Sequence, residues 1–174
     1  MKRLFPVIVA VVLLCGVLCH GAYADKDHAE ILKLREKIIQ VQNKGNLGIR
    51  NLLPCRSIQM FGTFEALPEA RIREGETFLI YFEPANFNVV KKDGRYHVHL
   101  VQDLVVTDSE GSETLLERPA FATLNHSTEE PVLEYYFKNT LTRVPPGDYL
   151  FKVTLHDKLK GQTVEKVLPF TVSK

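Results

Sequence analysis

The sequence predicts an all-β chain, an antiparallel β-sandwich preceded by one helix and a targeting segment, and three observations carry that prediction. The first is the final stretch, VPPGDYLFKVTLHDKLKGQTVEKVLPFTVSK from Val144 to Lys174, which alternates apolar and polar residues on both sides of a short turn. Tyr149, Phe151, Val153 and Leu155 fall on one face of its first strand, and Val164, Leu168, Phe170 and Val172 on one face of the second. This is the closing hairpin of a sandwich. The second is the run of short alternating segments upstream, punctuated by turn residues with no helical segment between them. The third is a stretch without Gly or Pro, from Asp25 to Lys44, whose apolar residues follow a helical period.

Residues 1–24 have the make-up of a secretory signal. Lys2 and Arg3 form a basic start, an apolar run extends from Leu4 to Leu18, and Ala22-Tyr23-Ala24 offers a small-x-small cleavage site. The run is shorter than the roughly 20 residues that span a bilayer, which favours cleavage over retention as an anchor. Cys15 and Cys19 follow Leu14 and Leu18, where lipid attachment wants a small residue, so lipidation is the lesser reading. The expected compartment is periplasmic or secreted, with no transmembrane span after cleavage.

Cleavage removes two basic residues and no acidic one, so the formal charge passes from +1 to −1 over the remaining 150 residues (174 less 24). A chain this close to neutrality, without a dense Lys/Arg cluster or an aromatic-studded basic stripe, is not expected to bind nucleic acid. Its length suits one core of ordinary size. The expected organisation is a signal over 1–24, an amphipathic helix and short linker over 25–46, and a β-sandwich over 47–174. Only Cys55 remains after cleavage, so no internal disulfide can form and stability must come from packing. Beside Leu52, Leu53 and Ile58, Cys55 reads as a small buried apolar residue, with an intermolecular disulfide as the alternative.

In the helical segment Ile31, Leu34, Ile38 and Val41 recur at spacings of three, four and three. Asp25 and Asp27 at its start and Lys44-Gly45 at its end suit the helix dipole and a C-terminal stop. This stripe is expected to pack on the chain's own sandwich or on a partner. Self-association through a coiled-coil seam is the alternative, although the segment is short for one.

Strands are predicted near Ser57–Phe64, Glu76–Phe82, Phe87–Lys91, Arg95–Thr107, Glu113–Arg118, Val132–Thr140, Tyr149–Asp157 and Gln162–Val172, seven or eight in all. Turn signals separate them at Arg73-Glu74-Gly75, Lys92-Asp93-Gly94-Arg95, Asp108-Ser109-Glu110-Gly111, Pro145-Pro146-Gly147 and Lys158-Leu159-Lys160-Gly161. Alternation assigns three inward rows: Phe78, Ile80 and Phe82; Tyr96, Val98, Leu100, Leu104 and Val106; and Leu133, Tyr135 and Phe137. Leu79 and Tyr81 make the opposite face of their strand apolar too, so something covers it, with the helix stripe as the expected cover. Pro-Gly-Asp-Tyr before a late strand fits a tyrosine corner, with Tyr149 bonding back to the preceding turn.

GDYLFKVTLHDKLKGQTVEKVLPFTV resembles the last two strands of immunoglobulin-like and fibronectin-type-III-like bacterial modules. With FGTFEALPEARIREGETFLIYFEPANF upstream, the chain after Gly45 is similar to a group of uncharacterised secreted bacterial proteins. The resemblance implies an immunoglobulin-like β-sandwich of seven to eight strands in an exported protein. It carries over no catalytic or binding residue.

For chemistry, the sharpest candidates are His97 and His99, two residues apart on a strand and so on one face, where two imidazoles can share a metal ion. His156 and Asp103 complete such a site if their strands are neighbours. Cys55 and Met60 come too early in the chain for a blue-copper centre, and there are no closely spaced Cys/His pairs for structural zinc. No Gly-x-Ser-x-Gly turn and no phosphate-cradling Gly-rich loop occurs. Asp108-Ser109-Glu110-Gly111-Ser112-Glu113 lacks the carboxylate spacing of an EF-hand and reads as an acidic hairpin turn. Nothing selects a carboxylate pair for glycoside chemistry. There is no Trp for a sugar platform, and Tyr81, Phe87 and Tyr136 are expected to pack rather than bind sugar.

The expectation is therefore an exported, non-catalytic interaction module without a cofactor, whose partner is another envelope or extracellular protein. The alternative is metal or small-ligand binding at His97, His99 and His156.

Overall fold

The computed structural model describes residues 26–174; the reading of 1–24 as a signal, Cys15 and Cys19 included, falls outside them. Among the described residues there is one helix, α1, over 26–42. Ten strands follow: β1 Gly48–Met60, β2 Thr63–Ala66, β3 Arg71–Arg73, β4 Phe78–Ala85, β5 Val90–Lys92, β6 Arg95–Asp108, β7 Thr114–Thr128, β8 Phe137–Leu141, β9 Gly147–Asp157 and β10 Gln162–Ser173. They form two sheets, with order β2-β1-β4-β8 in the first and β3-β10-β9-β6-β5 in the second, where β7 also pairs with β6. Tyr96 and His97 pair with both β5 and β7, and Leu100 to Gln102 and Leu104 to Thr107 with both β7 and β9. So β5 and β9 share one side of β6, and β7 takes the other. All these pairings are antiparallel except that of β3 with β10.

The strand count exceeds seven or eight for local reasons. Ser57–Phe64 is not one strand, because Gly62 at φ 67° turns the chain between β1 and β2. The short β3 borrows its order from its partner β10 rather than from a pattern of its own. β7 runs ten residues beyond Arg118, since Pro119 is absorbed in a bulge instead of ending the strand. Val132–Thr140 is strand only from Phe137. Where the turn chemistry was explicit, the hairpins form as read: Asp93 and Gly94 take φ 51° and 75°, the two left-handed positions that a tight β5–β6 turn needs.

All three predicted inward rows reach the core. Phe78, Ile80 and Phe82, the β6 row, Phe137, and Tyr149 to Leu155 on β9 are buried, while Leu133 and Tyr135 pack partly buried against them from the segment before β8. Aromatic pairs tie the sheets and the strands together: Phe78 stacks on Phe170 at 4.7 Å and Phe82 on Phe137 at 4.9 Å. Tyr149 hydrogen-bonds the Pro145 carbonyl at 2.9 Å, the bond of a tyrosine corner. Gly147 belongs to this corner, because a Cβ there would lie 2.8 Å from the Tyr149 hydroxyl. The buried Asp157 carboxylate organises the β9–β10 turn, accepting from the Leu159 and Lys160 N–H groups and, at 2.6 Å, from that of Asn88.

The described residues fall into two units, divided between Ile38 and Ile39. In the first, Ile31, Leu34 and Ile38 are exposed. In the second, Val41 is 71% exposed, whereas Ile39 is buried and Gln42 and Asn43 bond the backbone of Phe87 and Val89. Within this unit, then, Val41 of the expected stripe is not buried. The cover over Tyr81 comes instead from the sandwich unit itself. Phe64 of β2 lies 4.4 Å from the Tyr81 ring and Tyr136 lies 5.6 Å away. The Tyr81 hydroxyl accepts from Gly62 N–H and donates to Glu83, and burial pushes its pKa up to about 12. Cys55, 1% exposed, shares this outer face with Leu79, and desolvation pushes its thiol pKa up.

Candidate functional site

On the outward face of the second sheet, β6 presents His97, His99, Val101 and Asp103 in one row. Register sets His97 against Ser127, His99 against Asn125, and Val101 against His156 of β9. Asp103 and His156 therefore meet on a diagonal, with Nε2 2.8 Å from Oδ2. The other ring nitrogen, Nδ1, lies 3.0 Å from Thr163 Oγ1 on β10. His97 Nε2 lies 3.4 Å from the Lys92 carbonyl. Of the four residues singled out in the sequence, then, the fold joins Asp103 to His156 and leaves His97 and His99 further along the strand. Among the described residues no three His, Cys, Asp or Glu side chains gather as a metal-binding set.

The Thr163–His156–Asp103 chain has the order of a nucleophile, base and orienting acid. Its evident work is architectural. Asp103 Oδ1 accepts the backbone N–H of Ala120 at 2.7 Å, and Ala120 sits at φ 49° in the β7 bulge. Asp103 is held below the ordinary carboxylate range, first by that Ala120 N–H and then by His156. One carboxylate thus ties the bulge of β7 to β9 and, through His156, to β10.

That bulge shapes the second candidate. β7 breaks register twice, between its partners Gln102 and Leu104 and again between Val106 and Thr107. A bulge adds an unpaired residue and re-aims the side chains around it. The breaks bracket Phe121 and Leu115, which are 43% and 38% exposed and border a cleft of ≈ 480 Å³ on the flank where β7 and β8 are the outermost strands. Its floor is Leu104 and Val106 of β6, with Leu116 of β7 and Leu141 of β8, and the turn after β8 supplies Arg143 and Val144. Arg118, two residues from Leu116 on the same strand face, also lines it, and its Nη1 donates to the Glu117 carbonyl. Among the described residues neither Arg118 nor Arg143 makes an ion pair, and no carboxylate lines the cleft. Arg143 is held at φ 57°, a sparsely populated backbone region for a residue with a Cβ.

No motif in the sequence marks this cleft. Its signals were the Leu115-Leu116 doublet, which breaks alternation, and Pro119-Ala120-Phe121 inside an otherwise strand-like run. A smaller groove of ≈ 380 Å³ lies on the other flank, by β3. There Arg56 and Arg71 are matched by Glu65 and Glu69, and Glu76 accepts the Arg73 N–H.

No family model and no curated protein matches the sequence. Among solved structures the chain is similar to the soluble domain of PmoD from Methylocystis sp. ATCC 49242 (Rockwell), at 13% identity and a TM-score of 0.34, over 73% of this chain and 90% of that one. The likeness is loose, and no residue role is carried from that protein to this one. No helix among the described residues is long and apolar enough to cross a membrane.

Proposed function

We propose that the chain is an exported, non-catalytic β-sandwich of the immunoglobulin-like kind, an interaction module of the cell envelope or extracellular space that binds its partner at the open flank between β7 and β8. The immunoglobulin-like reading is supported by the Tyr149 corner and by the order in which the chain visits the sheets. β1 and β4 lie in the first, β6 in the second, β8 back in the first, and the hairpin β9–β10 closes the second. The observation that carries the binding surface is the cleft itself. It is apolar, lipped by two bulges of an edge strand, and bordered by two arginines without carboxylate partners. Apolar pockets with a few placed polar groups are the usual form of a ligand site. The histidine face offers less, since His156 is engaged by Asp103 and Thr163.

Crosslinking the exported chain within its own envelope fraction and identifying what is retained tests this. A stoichiometric partner held by the native chain and lost with Phe121→Asp is the expected result. A partner held equally by both, or none at all, overturns it. Phe121 is well exposed, so the variant should fold, and circular dichroism checks that it does.

A further inference from the structure

The chemistry of the cleft narrows its occupant. An edge strand can recruit a partner strand through its unpaired backbone groups, but bulges and proline are devices that prevent such pairing. β7 carries both along the cleft, at the register breaks around Leu115 and Phe121 and at Pro119. Recognition here therefore runs through side chains. Those side chains are a mainly aliphatic and aromatic lining, the hydroxyls of Thr140 and Thr142, and the guanidinium groups of Arg118 and Arg143, with no carboxylate among the lining residues to neutralise them. A guanidinium is matched best by a carboxylate or phosphate, which its fork of N–H donors can hold in bidentate fashion. The volume, ≈ 480 Å³, lies in the range of small-ligand sites.

We propose that this cleft takes a free long-chain carboxylate, its aliphatic tail lying among Leu104, Leu116, Phe121 and Leu141 and its head group held by Arg118 and Arg143. The inference rests on the flank being the binding surface and adds the identity of what enters it. The tail gains by leaving water in proportion to its apolar area. The head group stays at the rim, where the arginines are exposed, so that neither charge has to be buried unpaired. The Asp103 bond to Ala120 N–H holds the Phe121 lip in place.

The test is calorimetric titration of the purified exported chain with dodecanoate, alongside 1-dodecanol and vesicles of anionic phospholipid. Saturable one-to-one binding of dodecanoate is expected, weakened about tenfold or more by Arg118→Gln with Arg143→Gln and by Phe121→Asp. Dodecanol, which has the same tail without the charge, should bind at least about tenfold more weakly. Three results overturn the proposal: no saturable binding, equal affinity for the alcohol, or binding to vesicles without binding to free dodecanoate. If Phe121→Asp releases a crosslinked partner yet dodecanoate does not bind, the flank stands as the interaction surface and only its proposed occupant falls. If dodecanoate binds but the crosslinked partner is unaffected by Phe121→Asp, the flank remains a binding surface and only the reading that the protein partner docks there falls.

Discussion

The two flanks of the sandwich are finished differently. On one, the chain passes from β2 in the first sheet to β3 in the second and is bonded along the way: Leu67 N–H to the Pro54 carbonyl, Thr171 N–H to that of Ala70, and Glu74 N–H to that of Ser173. Two of the three arginines there are paired, Arg56 with Glu65 and Arg71 with Glu69, and Phe170 and Tyr149 pack as rings at 5.3 Å on the neighbouring strands. On the other, the chain returns from β7 to β8 through residues 129–136, where Tyr135 packs on Phe87 and meets His126, and the stretch from Leu115 to Phe121 is left facing the turn after β8 across a cleft. Backbone bonds and two ion pairs thus tie the first flank across its two sheets. On the second flank neither Arg118 nor Arg143 is ion-paired among the described residues, and a larger cleft remains between β7 and the turn after β8.

If this contrast is right, an aromatic at the packed end and one at the open flank should differ most in stability. Phe170→Ala, which removes the ring stacked on Phe78, is expected to cost about 3–5 kcal/mol, whereas Phe121→Ala should fall within about 0.5 kcal/mol. Urea unfolding of the two variants measures this, and comparable losses would erase the distinction.

A second contrast lies just inside the open flank. Gln102 and Asn139 are fully buried one step along the inward rows from Leu104 and Leu141, joined by one hydrogen bond of 2.6 Å between Nε2 and Oδ1. Gln102 Oε1 and Asn139 Nδ2 have no hydrogen-bond partner. Asn139→Leu alone strands the Gln102 amide and should cost about 1–3 kcal/mol, while adding Gln102→Leu should restore most of that loss, because a fully apolar pair leaves no polar group unpaired. A double variant no more stable than the single one would mean that the amides do more than bridge the sheets.

The smallest effect concerns the bulge. Asp103 titrates below the ordinary carboxylate value of about 3.9. Its bonds to Ala120 and His156 therefore stabilise the fold above that value, and the contribution is lost as the pH falls through the lower folded value. Asp103→Asn should lower the melting temperature at about pH 6, with the difference from the native chain vanishing at strongly acid pH. A difference that persists unchanged into acid would show that geometry at position 103, rather than its charge, holds the lip of the cleft.

How much of this was legible depended on whether the signal was local. Phe78, Ile80, Phe82 and the inward row from Tyr96 to Val106 could be read off because side-chain alternation is set within each strand. So could the Asp93-Gly94 turn and the Tyr149 corner, both built from residues a few positions apart. The helix near 26–42 was legible as an element, but not the contacts of its last turn: Val41 is exposed there while Ile39, Gln42 and Asn43 make the contacts, since a period reports amphipathicity without naming what covers it. The strand expected to end near Arg118 runs on to Thr128, because a proline that breaks an isolated strand is tolerated in a bulge on an edge.

By itself, then, the sequence determined the all-β class, the hairpins with explicit turn residues and most of the core, all of which follow from near-neighbour sterics and the period of two. Only the tertiary structure decided which strands are neighbours. That choice brought Asp103 to His156 and the Ala120 N–H, put Phe64 over Tyr81, and set Arg118 of β7 and Arg143 after β8 on one cleft. Each of these meetings joins residues far apart in the chain. Their proximity is set by sheet order and register, which depend on the summed packing of the whole sandwich rather than on any local pattern.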